Sequence, residues 1–101
     1  MQYIWINYLR HETDDPSDTY AELDTSGLEQ RRIDFYQNGM CFAYGGEQGR
    51  TEVLSQTPYP ENPCTWNRPG EREVRLIERR TFEELWYQAQ EWPTGFMDVL
   101  S

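Results

Sequence analysis

Residues 28–44, Leu-Glu-Gln-Arg-Arg-Ile-Asp-Phe-Tyr-Gln-Asn-Gly-Met-Cys-Phe-Ala-Tyr, decide the fold. Along 28–37, Ile33 and Phe35 fall on one side and Arg32, Asp34 and Tyr36 on the other, the two-residue period of a strand. Asn38-Gly39 follows, and both residues tolerate positive φ, so the pair predicts a tight type I′ turn. Beyond it, Met40, Phe42 and Tyr44 alternate with Cys41 and Ala43 in a returning strand that Gly45-Gly46 ends. The stretch reads as an antiparallel hairpin.

The pattern extends on both sides. Tyr20 to Asp24 reads as another strand, joined to the hairpin by the turn Thr25-Ser26-Gly27, which makes a three-stranded meander. Residues 3–9 are β-branched and aromatic at odd and even positions alike, as in a strand buried on both faces. Residues 10–18 form a polar loop with a proline turn. Downstream, residues 51–55 are compatible with a short strand, and Pro58, Pro60, Pro63 and Pro69 exclude regular structure up to Gly70. Residues 73–79 alternate, with Val74 and Leu76 opposite Glu73, Arg75 and Ile77, and read as a strand or as the approach to a helix. In that helix Thr81 is the expected N-cap and Glu84 completes a capping box. Phe82, Leu85, Trp86 and Ala89 make its buried stripe, and Trp92-Pro93 and Gly95 stop it. The expected fold is α+β: an antiparallel meander sheet of about four to six strands with one C-terminal helix packed on one face. It occupies residues 1–101 as a single domain, with a Pro-rich loop at 58–70 and a docked tail at 93–101.

Composition narrows the partners. The chain of 101 residues has 18 acidic residues and 9 arginines, no lysine, and a net charge of −9. Such a protein repels nucleic acid and anionic membranes and attracts basic partners. Four Trp, seven Tyr and four Phe separate it from disordered acidic chains, which lack aromatics. No stretch approaches the roughly 20 apolar residues that span a bilayer. The opening Met1-Gln2-Tyr3-Ile4-Trp5 has neither a basic region nor a long apolar run, so the expected location is cytoplasmic. Cys41 then reads as a small buried hydrophobe, and a Cys41–Cys64 disulfide is disfavoured in a reducing compartment. Two cysteines and one histidine are too few for a zinc site, and no cofactor is expected.

The densest polar cluster is His11-Glu12-Thr13-Asp14-Asp15-Pro16-Ser17-Asp18. It lacks the spacing, central glycine and terminal glutamate of a calcium loop. It also lacks a nucleophile for catalysis, so a solvated or partner-binding loop is the expectation. Glu22 and Asp24 project to the same side of a strand, as a glycosidase pair would, but cross-strand ion pairing with Arg31 or Arg32 is the simpler reading. The glycines of 45–50 lack the Lys-Ser/Thr of a phosphate cradle and read as a flexible hairpin end. Arg72, Arg75, Arg79 and Arg80 interleave with Glu71, Glu73 and Glu78, which points to internal pairing. With arginine gathered there, residues 12–24 hold six acids and no arginine. The candidate contact residues are Glu12, Asp14, Asp15, Asp18, Glu22 and Asp24, with Tyr59 and Trp66 either pinning the long loop to the core or exposed as aromatic anchors.

The order of features is Tyr3-Ile4-x-Ile6, the Asp-Pro loop, Tyr20-x-Glu22-Leu23-Asp24, Glu29-x-Arg31-x-Ile33-x-Phe35, Gly39 with Tyr44, and Phe82-Glu83-x-Leu85-Trp86. It resembles a family of small, functionally uncharacterised bacterial acidic domains. The Pro-rich 58–69 segment and the tail after Trp92 look like additions to that pattern. In size and acidity the chain is also similar to the immunity proteins of contact-dependent and other polymorphic toxin systems. That resemblance implies a non-enzymatic inhibitor that binds and neutralises a cognate toxin, a basic nuclease above all, through protein–protein contact with no membrane or direct nucleic-acid partner. The alternatives are a phage-encoded inhibitor that mimics nucleic acid against a host defence complex, and an accessory binding domain.

Overall fold

The computed structural model describes residues 1–12, 14–46 and 54–100, with helix side chains described through Ala89. It contains β1 (Gln2–Tyr8), β2 (Asp18–Leu23), β3 (Glu29–Phe35), β4 (Cys41–Gly45), β5 (Arg72–Ile77) and one helix, α1 (Arg79–Leu100). The strands form one sheet in the order β4-β3-β2-β1-β5, with every neighbouring pair antiparallel. The α+β architecture expected from the sequence is the one present. What the sequence did not reveal is the place of β5, which adds beside β1 with Tyr3 opposite Ile77.

β1 is therefore internal, and its sequence lacks polar alternation because both faces of the sheet are covered. On one face α1 packs Phe82, Trp86 and Ala89 against Tyr3, Ile33 and Cys41. Phe82 is the centre of this layer: its ring lies 5.3 Å from Tyr3 and stacks 6.1 Å from Trp86. On the other face Ile4, Ile6, Ala21, Leu23 and Val74 form a second buried layer. It is roofed by a strap of irregular chain, residues 54–71, whose Tyr59 and Trp66 pack on it. Both cysteines are free, and burial raises the Cys41 thiol pKa.

Four local expectations need correction. The 36–40 connection is not a type I′ turn, because among the described residues only glycines have positive φ. Gln37 joins the loop, Gly39 N–H donates to the Tyr36 carbonyl at 3.0 Å, and Gly39 alone takes the left-handed conformation at φ 90°. This is the three-residue hairpin loop, and Asp24–Leu28 repeats it with Gly27 at φ 86°. Thr81 is not the N-cap: Phe82 N–H donates to the Glu78 carbonyl at 3.2 Å, so the chain turns from β5 into the helix within one residue. Nor does α1 stop at Trp92-Pro93; its backbone continues to Leu100. Proline's fixed φ is helical, and the cost is one missing bond and crowding against the carbonyl four residues back. Finally, Pro63 begins a single 3₁₀ turn, Pro63–Trp66, inside the segment expected to be wholly irregular. Proline is tolerated there because a first-turn N–H has no partner to lose, and Asn62 caps the turn by accepting from Cys64 N–H at 3.1 Å. The possible strand at 51–55 and the glycine-rich 47–50 fall largely on residues outside the described ones, and docking of the 93–101 tail concerns side chains outside them.

Candidate functional site

Two consecutive arginines organise the polar interior, because alternation along β3 sends them to opposite faces. Arg31 points under the helix. Its Nε and Nη2 grip Glu22 Oε1 and Oε2 at 2.8 and 2.7 Å, and Nη2 also reaches Glu83 Oε1 on α1 at 2.5 Å. Tyr3 Oη–H donates to the same Glu22 carboxylate at 2.9 Å. The guanidinium lies 4.9 Å from the Phe82 ring and 5.0 Å from that of Trp86. Hydrogen bonding to Arg31 holds the Glu22 carboxyl below its ordinary pKa, and the Arg31 guanidinium is held correspondingly more basic.

Arg32 points under the strap. Its Nη1 donates to Glu29 Oε1 at 3.1 Å, and that carboxylate also accepts from Ser55 N–H and Tyr59 Oη–H, both at 2.8 Å. Asp34 completes the group, accepting from Thr19 Oγ1–H at 2.7 Å. Arg32 Nε stands 3.4 Å from Asp34 without a bonding geometry, and it is the one buried side-chain polar atom left unbonded among the described residues. Burial dominates at Asp34 and raises its pKa despite the nearby guanidinium.

These two networks sort the candidate contact residues. Glu22, expected on a partner-facing surface, is 7% exposed and belongs to the interior. The ion-pair reading of Glu22 holds, since Glu22 stands directly opposite Arg31 in the ladder. Asp24 is half-buried and shapes its turn, accepting from Ser26 N–H at 2.8 Å and Leu28 N–H at 3.0 Å. Asp18, also half-buried, accepts from Trp5 Nε1–H, Asn7 Nδ2–H and Ser17 Oγ–H. Of these six acids only Glu12, Asp14 and Asp15 are exposed, on the loop from β1 to β2. That loop is closed by Asp15 N–H donating to the Glu12 carbonyl at 3.1 Å. Glu12 and Asp15 line a shallow groove with Leu9, Arg10, His11 and Gln37, beside the β3–β4 turn.

Tyr59 and Trp66 meet edge-to-face at 5.4 Å and pin the strap, the simpler of their two readings. Trp66 is backed by Arg72, whose guanidinium carbon lies 3.7 Å from the ring centre and whose Nε donates to the Trp66 carbonyl. Both rings still line an apolar groove with Pro58 and Pro60. Among the described residues no three His, Cys, Asp or Glu side chains are placed to share a metal ion, and no helix is long and apolar enough to cross a membrane.

The family described as Domain of unknown function (DUF6881) matches residues 2–91. The chain belongs to this family. No curated protein and no solved structure matches it. The DUF6881 match begins with β1 and reaches into α1, so it takes in both covers of the sheet. The Pro-rich 58–69 segment lies within the matched span, and residues 92–101 lie beyond it. Sequence reasoning missed Glu29, Arg32 and Asp34 as a buried unit, and Trp5 as a residue of interest. For Arg32 and Asp34 the available signal was two charges on the side of β3 opposite Ile33 and Phe35; Glu29, which plain alternation puts on the Ile33 side, joins them only through the irregularity in the β2–β3 register between Glu22 and Leu23.

Proposed function

We propose that this DUF6881 domain is an immunity-type binding protein: it neutralises a cationic toxin domain, a nuclease above all, by stoichiometric docking that covers the toxin's nucleic-acid-binding surface. The observation that carries the reading is the division of charge. Arg31 and Arg32 are engaged within the fold by Glu22, Glu83, Glu29 and Asp34. Those networks set four carboxylates against two arginines, and the rest of the chain still holds fourteen acidic residues to seven arginines. At one end of the sheet that excess is presented as three exposed carboxylates, Glu12, Asp14 and Asp15, on a short loop. Such a cluster accelerates encounter with a cationic surface and makes it salt-sensitive.

The test uses the full chain and the domain encoded by the gene that adjoins its own, assayed for nuclease activity. Association kinetics are measured at low and high salt for the wild type and for the E12K/D14K/D15K variant, which leaves Asp18, Glu22 and Asp24 in their structural roles. The expected result is tight wild-type binding, with an association rate at least ten-fold lower in the variant and less dependent on salt. An unchanged rate rules out the loop as the docking element. Absence of any complex with the neighbouring domain, together with undiminished nuclease activity, rules out the immunity reading.

A further inference from the structure

Alternation along β1 places Tyr3, Trp5 and Asn7 on the helix side of the sheet. Tyr3 is buried beneath Phe82, but Trp5, two residues further, belongs to neither buried layer. A large aromatic ring thus lies half-buried in the middle of an internal strand, outside both buried layers among the described residues. Its orientation is fixed: the indole N–H donates to Asp18 Oδ1 at 2.9 Å, and Asn7 and Ser17 hold that carboxylate in place. Tyr20 faces Trp5 from β2 and Arg75 faces it from β5. Arg75 is the one cation among the described residues set against the Trp5 ring, at 5.8 Å. Its own charge is turned aside by a fork to Glu73 Oε1 at 2.9 and 2.7 Å, and 64% of its side chain is exposed.

We propose that Trp5, oriented by Asp18, is the anchor at which a basic protein partner docks, an arginine of the partner displacing Arg75 from the indole face. The inference rests on the basic-partner reading above and names the surface that reading leaves open. Charge complementarity selects the occupant: Asp18 bonds the indole, Glu73 bonds Arg75, and Glu12, Asp14 and Asp15 lie with Arg10 on the loop that leaves β1, so that among the described residues carboxylates outnumber the cations Arg10 and Arg75 at this corner. Arginine stacks on tryptophan more readily than on any other side chain, and tryptophan is enriched among residues that dominate binding energy.

The probe is a nona-arginine peptide, titrated into the ¹⁵N-labelled protein while the indole N–H signals are followed, with Trp5 assigned through W5F. The expected result is a saturable shift of the Trp5 signal. R75A should tighten binding about two- to five-fold by removing the competing cation, and W5L should weaken it by a similar factor. R75A alters only an exposed side chain, so it keeps the test open if W5L fails to fold. Binding that E12Q/D14N/D15N weakens but R75A and W5L leave unchanged overturns the Trp5 anchor while the basic-partner reading stands. No binding by the wild type overturns both. Self-association that moves the Trp5 signal without peptide, seen by light scattering, makes a second copy the occupant and overturns the proposal.

Discussion

Removing the Glu29 carboxylate should release the strap from the sheet. Its side chain is 1% exposed, yet it accepts from Arg32, Ser55 N–H and Tyr59 Oη–H, joining the strap to β3. In Glu29→Ala, Arg32 keeps the poorly aligned Asp34 and the Tyr44 ring at 5.4 Å, and two strap donors lose their acceptor. Breaking a buried ion pair from one side costs about 3–5 kcal/mol, and each stranded donor adds about 1–3 kcal/mol if it stays dry. The sum is not reached, because the strap can lift and admit water; the cost is then capped by the price of opening the second core layer. An overall loss of about 3–4 kcal/mol is expected, which for a domain of this size lowers Tm by at least about 12 °C. Glu29→Gln keeps an acceptor and should cost less. Tyr59→Phe loses one bond to a charged group, about 1.5–3 kcal/mol. Urea unfolding followed by tryptophan fluorescence gives the stabilities, a Glu29→Gln/Tyr59→Phe double-mutant cycle gives their coupling, and limited proteolysis at 56–62 reports strap opening. If Glu29→Ala costs under about 1 kcal/mol and the strap stays protease-resistant, the apolar packing of Tyr59 and Trp66 holds it alone and the reasoning fails.

Three further outcomes follow from the same geometry. Arg31→Lys should destabilise measurably in urea unfolding, since an ammonium cannot reproduce the fork on Glu22 while reaching Glu83 and facing two rings; wild-type stability in the variant would contradict this. The folded-state pKa of Glu22 is depressed below 4.5, so its contribution is present above that pH and is lost as pH falls through the folded value. Asp34, raised above 3.8, works oppositely and favours the folded state when protonated. Comparing Glu22→Gln with Asp34→Asn between pH 2 and 6 should therefore flatten the acid limb of the stability curve in the first variant and steepen it in the second. Gly27→Ala should cost more than Gly39→Ala in thermal melts. Both positions carry the left-handed strain of about 1–2 kcal/mol, but a Cβ at Gly27 also meets the Tyr59 carbonyl oxygen at 2.6 Å, while Gly39 faces open space.

The elements were legible where a period or a turn residue forced them. The β3–β4 hairpin follows from alternation around Gly39, and the Glu22–Arg31 pair follows from the meander that makes their strands neighbours. The turn type escaped because Asn38-Gly39 suits two loops that differ only in whether Gln37 joins the strand or the turn. The helix start escaped because a capping box at Thr81 and a direct entry from Glu78 are compatible with the same residues. Burial of Glu22 and Glu29 is a tertiary property: each becomes interior only because an arginine, a tyrosine and a remote cover arrive together. For the same reason the acidic segment 12–24, uniform in sequence, divides in space into three surface charges and three structural ones. Trp5 looked like any core residue of β1, and only its absence from both buried layers of the described residues sets it apart.

The seat of β1 between β2 and β5 has a consequence for how the chain acquires its structure. Strands β1 to β4 follow one another in the chain, joined by the 9–17 loop and two tight turns, and can meet as soon as they are made, but Tyr3 finds Ile77 only after most of the chain exists. Until then β1 is an open edge, and an apolar one, with neither the strap nor α1 in place over its faces. Contacts so distant in sequence are slow to close, and an unpaired apolar edge invites association with other chains. A nascent chain that has not yet delivered β5 is therefore the species most exposed to aggregation during synthesis, and the late arrival of residues 72–89 is the step that commits the protein to its native topology.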